Sequence, residues 1–242
     1  MNRRVRQSLQ HWHRRAGVAA AAVLVYLVVT GLPLQYSSEL QLGHRYVAWT
    51  SVLDWYGLQA PESVRSSSGL TAVGDAIFDQ AGFLLSLEGF KGAVSTSGML
   101  VAAGEDELVL LQPETLELLE RWPLPAPAQA IGIRQDRVIV KAGQSYLLAD
   151  ADLISWRTET EPPEGVAWAS VRNLPLSEAA SFRSQYRQRM LTLERALQDL
   201  HSGRFFGWIG MLIIDAASLL LVFLAISGLV MWARYSTSRS RR

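Results

Sequence analysis

The chain has 242 residues, 49% of them hydrophobic, with 23 Lys and Arg against 22 Asp and Glu and a formal net charge of +1. No global basic excess argues for nucleic acid as a partner. There is no Cys, which excludes disulfides, zinc–thiolate sites, iron–sulfur clusters and thiol chemistry.

Residues 1–15 carry five Arg and no acidic residue, with His11 and His13 near their end. Residues 16–36 (AGVAAAAVLVYLVVTGLPLQY) then run without a charge. A helix rises about 1.5 Å per residue, so this stretch matches a hydrocarbon core of roughly 30 Å. It is longer than the apolar region of a signal peptide and no A-x-A-like site follows, so it reads as an uncleaved transmembrane anchor.

Residues 37–69 form a juxtamembrane segment rich in aromatics, with Tyr46, Trp49, Trp55 and Tyr56. Rings with an apolar body and a polar tip favour the membrane–water boundary. The same rings are also compatible with a cleft for a planar ligand.

Residues 70–160 change to short apolar runs punctuated by Gly, Asp and Pro, a strand-and-turn pattern. Residues 100–122 and 138–156 share one scheme, strand, Gly-containing turn, strand, turn, and a strand ending in Trp122 or Trp156, and residues 76–87 foreshadow it. A repeat near 40 residues resembles a propeller blade, but two or three copies cannot close a ring of four or more. The expectation is an open antiparallel meander or small sandwich. The Pro-rich stretch WPLPAPAQ (122–129) joins two such units.

Residues 161–204 form a linker and an amphipathic helix. Ser177 and Glu178 follow Pro175 as a helix start, and Phe182, Tyr186, Met190, Leu193, Leu197 and Leu200 recur at helical spacing. Residues 205–233 are the second span, interrupted by one ionisable residue, Asp215, and residues 234–242 end the chain with four Arg. Between the spans, residues 37–204 carry 14 basic and 21 acidic residues, a net charge of −7. Arginine-bearing flanks stay inside, so the expected topology is two-pass in a bacterial inner membrane, with both termini cytoplasmic and residues 37–204 periplasmic. The fold class is thus a membrane helical hairpin, with an inserted, mainly antiparallel β domain and an amphipathic helix leading into the second span.

No hydrolase, nucleotide-binding or zinc motif is present, and no catalytic or metal-binding set is assigned. The chemistry-bearing residues reduce to four His, Asp215 and spaced glycines. Neutral imidazole is a common ligand of haem iron. His13 and His201 belong to opposite membrane faces, whereas His44 with His201, or a pair supplied by a symmetric dimer, agree in depth. Both His44 and His201 also read as polar residues bonding to backbone or lipid headgroups. A carboxylate at Asp215 costs about 2.5–3.5 kcal/mol to insert, so it should face protein or water. Thr30, Gln35 or a juxtamembrane Arg could meet it, either to lock the helices or to relay protons. Gly203, Gly207 and Gly210 form a small-residue stripe that lets backbones approach closely.

The stretch 193–232, with His201-Ser202-Gly203, spaced glycines, Asp215, Ser227-Gly228-Leu229 and Trp232, resembles the closing helix of PepSY-associated transmembrane proteins. Residues 11–34, with an Arg/His-rich lead and Thr30-Gly31-Leu32, resemble that family's first helix, and Leu53-Asp-Trp-Tyr-Gly57 its short two-helix members. Four-helix relatives include inner-membrane ferric-siderophore reductases that hold haem b on helix histidines. The resemblance implies that His13 and His201 match recurrent family positions and Asp215 the helix acid. It also implies a redox or iron-uptake context. This chain has two spans instead of four and no clear PepSY module, so a haem site would need a dimer or a partner subunit. Two function classes follow: a non-catalytic accessory, binding or sensor subunit with a protein partner or homodimer, or a haem-b-binding electron-transfer subunit.

Overall fold

The computed structural model describes the backbone of residues 3–150 and 155–239, and the side chains of those residues apart from 3–10, 231 and 233–239. The arginine clusters at 3–6 and 234–242, and the start of the predicted strand at 153–159, lie outside the described residues or side chains. The chain divides into two compact units: residues 1–48 with 191–242, and residues 49–190.

The first unit is the helical hairpin. Helices α1 (Arg3–Gln35) and α5 (Gly207–Arg239) contain stretches long and apolar enough to cross a bilayer, His11–Gln35 and Arg204–Val230. Such helices satisfy their own backbone in lipid, which is why a segment with few polar side chains can leave water at all. Large side chains point outward: Val18, Leu219 and Trp232 are each about 70% exposed. Small or polar residues, Ala20, Thr30 and Ala217, are the buried ones. Close helix approach in a membrane rests on such residues, because lipid offers Leu as good an environment as protein does.

Between the two long helices the unit also contains a single helical turn, Leu42–His44, and α4 (Leu193–His201). A short antiparallel bridge pairs Tyr46 with Thr192, flanked by Val47 N–H to Leu191 O (2.9 Å) and Leu193 N–H to Arg45 O (2.7 Å). The Thr192 hydroxyl then caps α4 by accepting from Arg195 N–H (3.2 Å).

That bridge corrects the single amphipathic helix predicted through residues 177–200. The structure has α3 (Leu176–Arg189) and α4 as separate helices in different units. The apolar spacing runs through the break unchanged, but Leu191 C=O and Leu193 N–H bond to Val47 and Arg45 rather than within a continuing helix. Leu191 is 1% exposed there.

The second unit is built from three antiparallel meanders. The first sheet runs β1 (Val64–Ser67), β2 (Leu70–Val73), β3 (Ala76–Phe78) and β4 (Phe83–Ser86). The second comprises β5 (Gly92–Ser95), β6 (Leu100–Ala103), β7 (Glu107–Leu111) and β8 (Leu118–Pro123). The third comprises β9 (Ala130–Arg134), β10 (Arg137–Ala142), β11 (Ser145–Ala149) and β12 (Trp156–Glu159). Two later two-residue strands, β13 (Ala167–Trp168) and β14 (Arg172–Asn173), add to β9 and β1 as fifth strands. The repeat seen in the sequence is therefore present three times, and the sheets form an open stack.

The packing follows from the side-chain alternation of each strand. Val101, Ala103, Leu108 and Leu110 of the second sheet meet Ile131, Val138, Val140 and Leu147 of the third. Its opposite face, Leu100, Ala102, Val109 and Leu111, meets Leu70, Ala72, Ile77 and Leu85 of the first. Covered on both sides, the middle sheet reads as unbroken apolar runs instead of an alternating pattern. The first sheet turns Val73, Ala76 and Phe78 toward Ala179, Phe182 and Tyr186 of α3. Helix α2 (Thr50–Trp55) is tied to α3 by an Arg187–Asp54 ion pair, and Arg187 Nε donates to Leu58 O (2.9 Å).

Candidate functional site

In the helical unit, a histidine and a hydroxyl join α1 to α4 near one end and α1 to α5 near the other. Near one end, His201 Nδ1 and Thr30 Oγ1 share a hydrogen bond of 2.9 Å, and Thr30 Oγ1 also lies 2.9 Å from Tyr26 O. Near the other end, His13 Nδ1 and Ser227 Oγ share one of 3.2 Å, with Ser227 Oγ 3.0 Å from Leu224 O. A hydroxyl has one proton to give. Where it goes to the helix carbonyl, the imidazole must donate from Nδ1, and Nε2 keeps its lone pair. Tyr26 strengthens the first joint by donating its phenol to Leu200 O, the residue before His201.

Local sequence explains why these contacts form. A Cβ on Gly31 would come within 3.0 Å of His201 Cε1, so only glycine lets the imidazole lie against α1 at that point. Thr30 and Gly31 therefore act together, one as hydrogen-bond partner and one as space. In the sequence they stand out only as the end of an apolar run and as part of a family-like triplet.

These placements decide whether the helix histidines fit a haem. In the tautomer that donates from Nδ1, each offers an Nε2 lone pair, as a haem ligand must. His13 and Thr30, the partner of His201, are 17 residues apart on α1, about 25 Å along the axis. One chain thus brings one histidine to each end of the hairpin, and does not bring His13 and His201 to the same iron. His44 closes the turn at Leu42–His44 and is exposed.

The spaced glycines are placed differently from a stripe between two spans. A Cβ on Gly210 would sit 2.1 Å from Gly203 O, so these two do allow a close backbone approach, but between the end of α4 and the first turns of α5. Gly203 (φ 78°) and Gly207 (φ 68°) both adopt the left-handed region in the reversal between those helices, where a side chain would be strained. A Cβ on Gly207 would meet nothing within 4 Å, so its role is conformational alone. Asp215 is brought neither to Thr30 nor to Gln35; it is exposed on α5.

In the β unit, one face of the third sheet packs on the second sheet and the other carries charge. Cross-strand partners share a face. The pairs Arg134↔Arg137 and Ile139↔Leu148↔Arg157 therefore place three guanidinium groups on one surface, with Tyr146 and Glu159 in the next row. Arg134, Arg137 and Arg157 line a cleft of about 670 Å³ with Asp150, Ser155 and Trp156. Arg134 donates to Glu164 O (3.5 Å), and Asp150 accepts from the Ser155 hydroxyl (2.7 Å). Arg137 and Arg157 make no ion pair among the described residues. A second cleft of about 570 Å³, at the first sheet, is lined by Ser66, Ser68, Thr71, Ser170, Arg172 and Glu178. Its charges are neutralised in part by the Arg172–Glu178 pair (3.7 Å). Among the described residues, no three His, Asp or Glu side chains gather as a metal site.

Trp49 and Trp55 are 74% and 65% exposed. Their exposure agrees with rings placed for a boundary between polar and apolar surroundings.

A sequence model of the family described as PepSY-associated TM region matches residues 1–234. The match runs through the β unit as well as both spans. No curated protein and no solved structure matches the chain.

Proposed function

Because the chain belongs to the PepSY-associated transmembrane family, we propose that it is a non-catalytic accessory, binding or sensor subunit of a bacterial inner membrane, working through its β unit in a redox or iron-related context. In this reading both termini are cytoplasmic and residues 37–204 are periplasmic. The hairpin anchors the β unit, and the β unit recognises a ligand or partner. The supporting observation is the charged outer face of the third sheet. Arg134, Arg137 and Arg157 outnumber Asp150 and Glu159 in the recess beside Trp156, on a segment whose overall charge is negative. Guanidinium groups in such an array recognise carboxylate or phosphate, bidentately where geometry allows.

The test is a titration of the full chain in nanodiscs, read by tryptophan fluorescence, with inorganic phosphate, citrate and a Glu-rich peptide as probes. Saturable binding by at least one anion, lost in Arg137→Glu/Arg157→Glu with unchanged circular dichroism, supports the reading. Absence of binding by all three, or binding indifferent to the substitutions, overturns it.

The second reading, a haem-b-binding electron-transfer subunit of a ferric-siderophore or other periplasmic reductase, draws on the Nε2 lone pairs that the Thr30 and Ser227 hydroxyls leave on His201 and His13. One axial histidine per site then requires a second ligand from a dimer or a partner subunit. A Soret band in detergent-purified protein from haem-supplied cells, lost on His201→Ala, supports this second reading. Colourless protein from the same cells counts against it.

A further inference from the structure

The cleft at the first sheet gathers polar groups that neither the hairpin nor the arginine recess uses. Its floor is one face of that sheet. Cross-strand pairing sets Arg172 beside Ser66 and Ser66 beside Thr71, and directly opposed residues share a face. That face is turned to α3, because Val64 and Val73, two residues along each strand, pack with Ala179 and Phe182. Helix α3 supplies the facing wall with Glu178 and Phe182, and the loop between β3 and β4 adds Gln80. Asp79 holds that loop by accepting from Ala81 and Gly82 N–H (2.8 Å each).

The hydroxyls around the cleft divide into two kinds. Ser67 and Ser68 are spent on the neighbouring sheet: Ser67 Oγ accepts from Ala93 N–H (3.2 Å) and Ser68 Oγ donates to Ala93 O (2.8 Å). Ser66, Thr71, Ser170 and Gln80 also line the cleft, and among the described residues their side chains make no hydrogen bond. Thr71 is the critical one. It is only 4% exposed, while its neighbours Leu70 and Ala72 face the second sheet. A hydroxyl buried this far normally has a partner, and the cleft is where one can reach it. Water would serve a lone hydroxyl, but here four uncommitted groups converge. Arg172 and Glu178 add to them: at 3.7 Å they are beyond direct hydrogen-bond length, so each can still bond a third group.

We propose that this cleft binds a neutral, polyhydroxylated ligand, a saccharide of one or two rings. Neutrality follows from the charges, since Arg172 and Glu178 offset each other and Asp79 is turned to its own loop. Hydroxyls and a carboxamide both donate and accept, as sugar hydroxyls do. Adjacent sugar hydroxyls can also accept from the guanidinium and donate to the carboxylate. Phe182, half-buried and tilted against Phe78 with ring centroids 6.2 Å apart, offers the C–H face of a pyranose an apolar wall. An amino acid would use the two charges but leave the neutral groups idle, and an anion would meet Glu178. At about 570 Å³ the cleft is within the range of small-molecule sites, about 300–1,000 Å³. It shares no residue with the arginine recess of the third sheet and does not depend on what that recess recognises.

The experiment is saturation-transfer difference NMR on the full chain in nanodiscs. D-glucose, N-acetyl-D-glucosamine and maltose are the probes, with glycine and inorganic phosphate as competitors. At least one sugar should bind saturably, and neither competitor should displace it. Thr71→Val should weaken that binding about three- to tenfold, and Gln80→Ala, exposed on its loop, should weaken it without touching the core. Because the Thr71 hydroxyl has no partner in the protein, Thr71→Val should also keep or raise the thermal midpoint of the β unit, which loss of a structural hydroxyl would lower. Arg137→Glu/Arg157→Glu should leave sugar binding unchanged, which separates failure of this proposal from failure of the third-sheet reading. No saturable binding by any of the three sugars, binding indifferent to both cleft variants, a lowered midpoint in Thr71→Val, or displacement of the sugar by glycine or phosphate would each overturn the proposal.

Discussion

The two units bury opposite kinds of residue. In the β unit large apolar side chains such as Phe78, Phe90, Ile77 and Leu108 are fully buried and the charges face out. In the helical unit Leu219, Val18 and Trp232 face out, and what is held between the helices is Thr30, Ala20, Ala217 and two imidazoles. One chain thus carries two folding codes because its two parts answer to different solvents. Expulsion of apolar surface from water drives the first. In lipid that force disappears between helices, and close contact with hydrogen bonds takes over.

The largest effect that separates the two codes is truncation of a buried ring. Phe90→Ala should lower the unfolding free energy of the β unit by about 3–5 kcal/mol. Leu219→Ala, equally apolar and exposed to lipid, should leave helix pairing within about 0.5 kcal/mol of wild type. Denaturant titrations of the β unit and steric-trap or detergent unfolding of the hairpin measure the two. Comparable losses would erase the distinction between them.

Next in size is a close approach within the β unit. A Cβ at Gly132 would fall 2.6 Å from Val166 Cγ1 and 2.9 Å from the Trp168 ring. Gly132→Val should therefore cost about 1–3 kcal/mol, read as a lower thermal midpoint, by forcing β13 off β9.

The hairpin should respond most to its hydroxyls. Thr30→Val keeps the shape and removes the partner of His201 Nδ1, at a cost of about 1–2 kcal/mol in helix pairing. Ser227→Ala, on the longer hydrogen bond to His13, should cost about 0.6 kcal/mol. If Thr30→Val were silent while Leu219→Ala was costly, lipid-facing bulk rather than polar contact would be holding the spans.

The smallest effect is a pH dependence confined to the β unit. Tyr186 donates to Asp75 Oδ1 (3.2 Å), and burial, followed by the Asp75 carboxylate, raises its phenol above the ordinary value of 10.0. A raised folded value means that the neutral phenol's contribution is complete below about pH 10 and is lost as pH climbs through the folded value. Tyr186→Phe should accordingly flatten the decline of stability on the alkaline side, while near neutral pH it removes the hydrogen bond to Asp75 without changing how stability depends on pH.

The same contrast explains what can be read from the residues alone. Residues 16–36 and 205–233 announce themselves because apolar length is a local property. The second and third meanders are legible because Leu100–Leu111 and Val138–Ala149 repeat one pattern of strand and turn. The first is fainter: Val64–Ser67 alternates weakly, and β3 is only three residues long. The break between α3 and α4 is invisible in the sequence, since the apolar spacing continues across it and the cause is a bridge to Tyr46, far away along the chain. The histidine–hydroxyl joints span 171 and 214 residues, so they depend on the register of one helix against the other. Residue type is enough to single out His13 and His201, but not their partners. Asp215 is legible as a costly group, yet the hairpin alone leaves it unpaired. The clustered arginines on the third sheet escape a linear reading because Arg134, Arg137 and Arg157 converge only once three strands are in register.

Two solvents for two parts of one chain require each part to lie in a definite place, and thiol accessibility measures this directly. Single-thiol variants Ser97→Cys, in the β unit, and Ser240→Cys, in the C-terminal tail, can be offered a membrane-impermeant maleimide in spheroplasts. The expected result is that Ser97→Cys is labelled at once and Ser240→Cys only after the membrane is opened. Labelling of both variants, or of neither, before permeabilisation would contradict it.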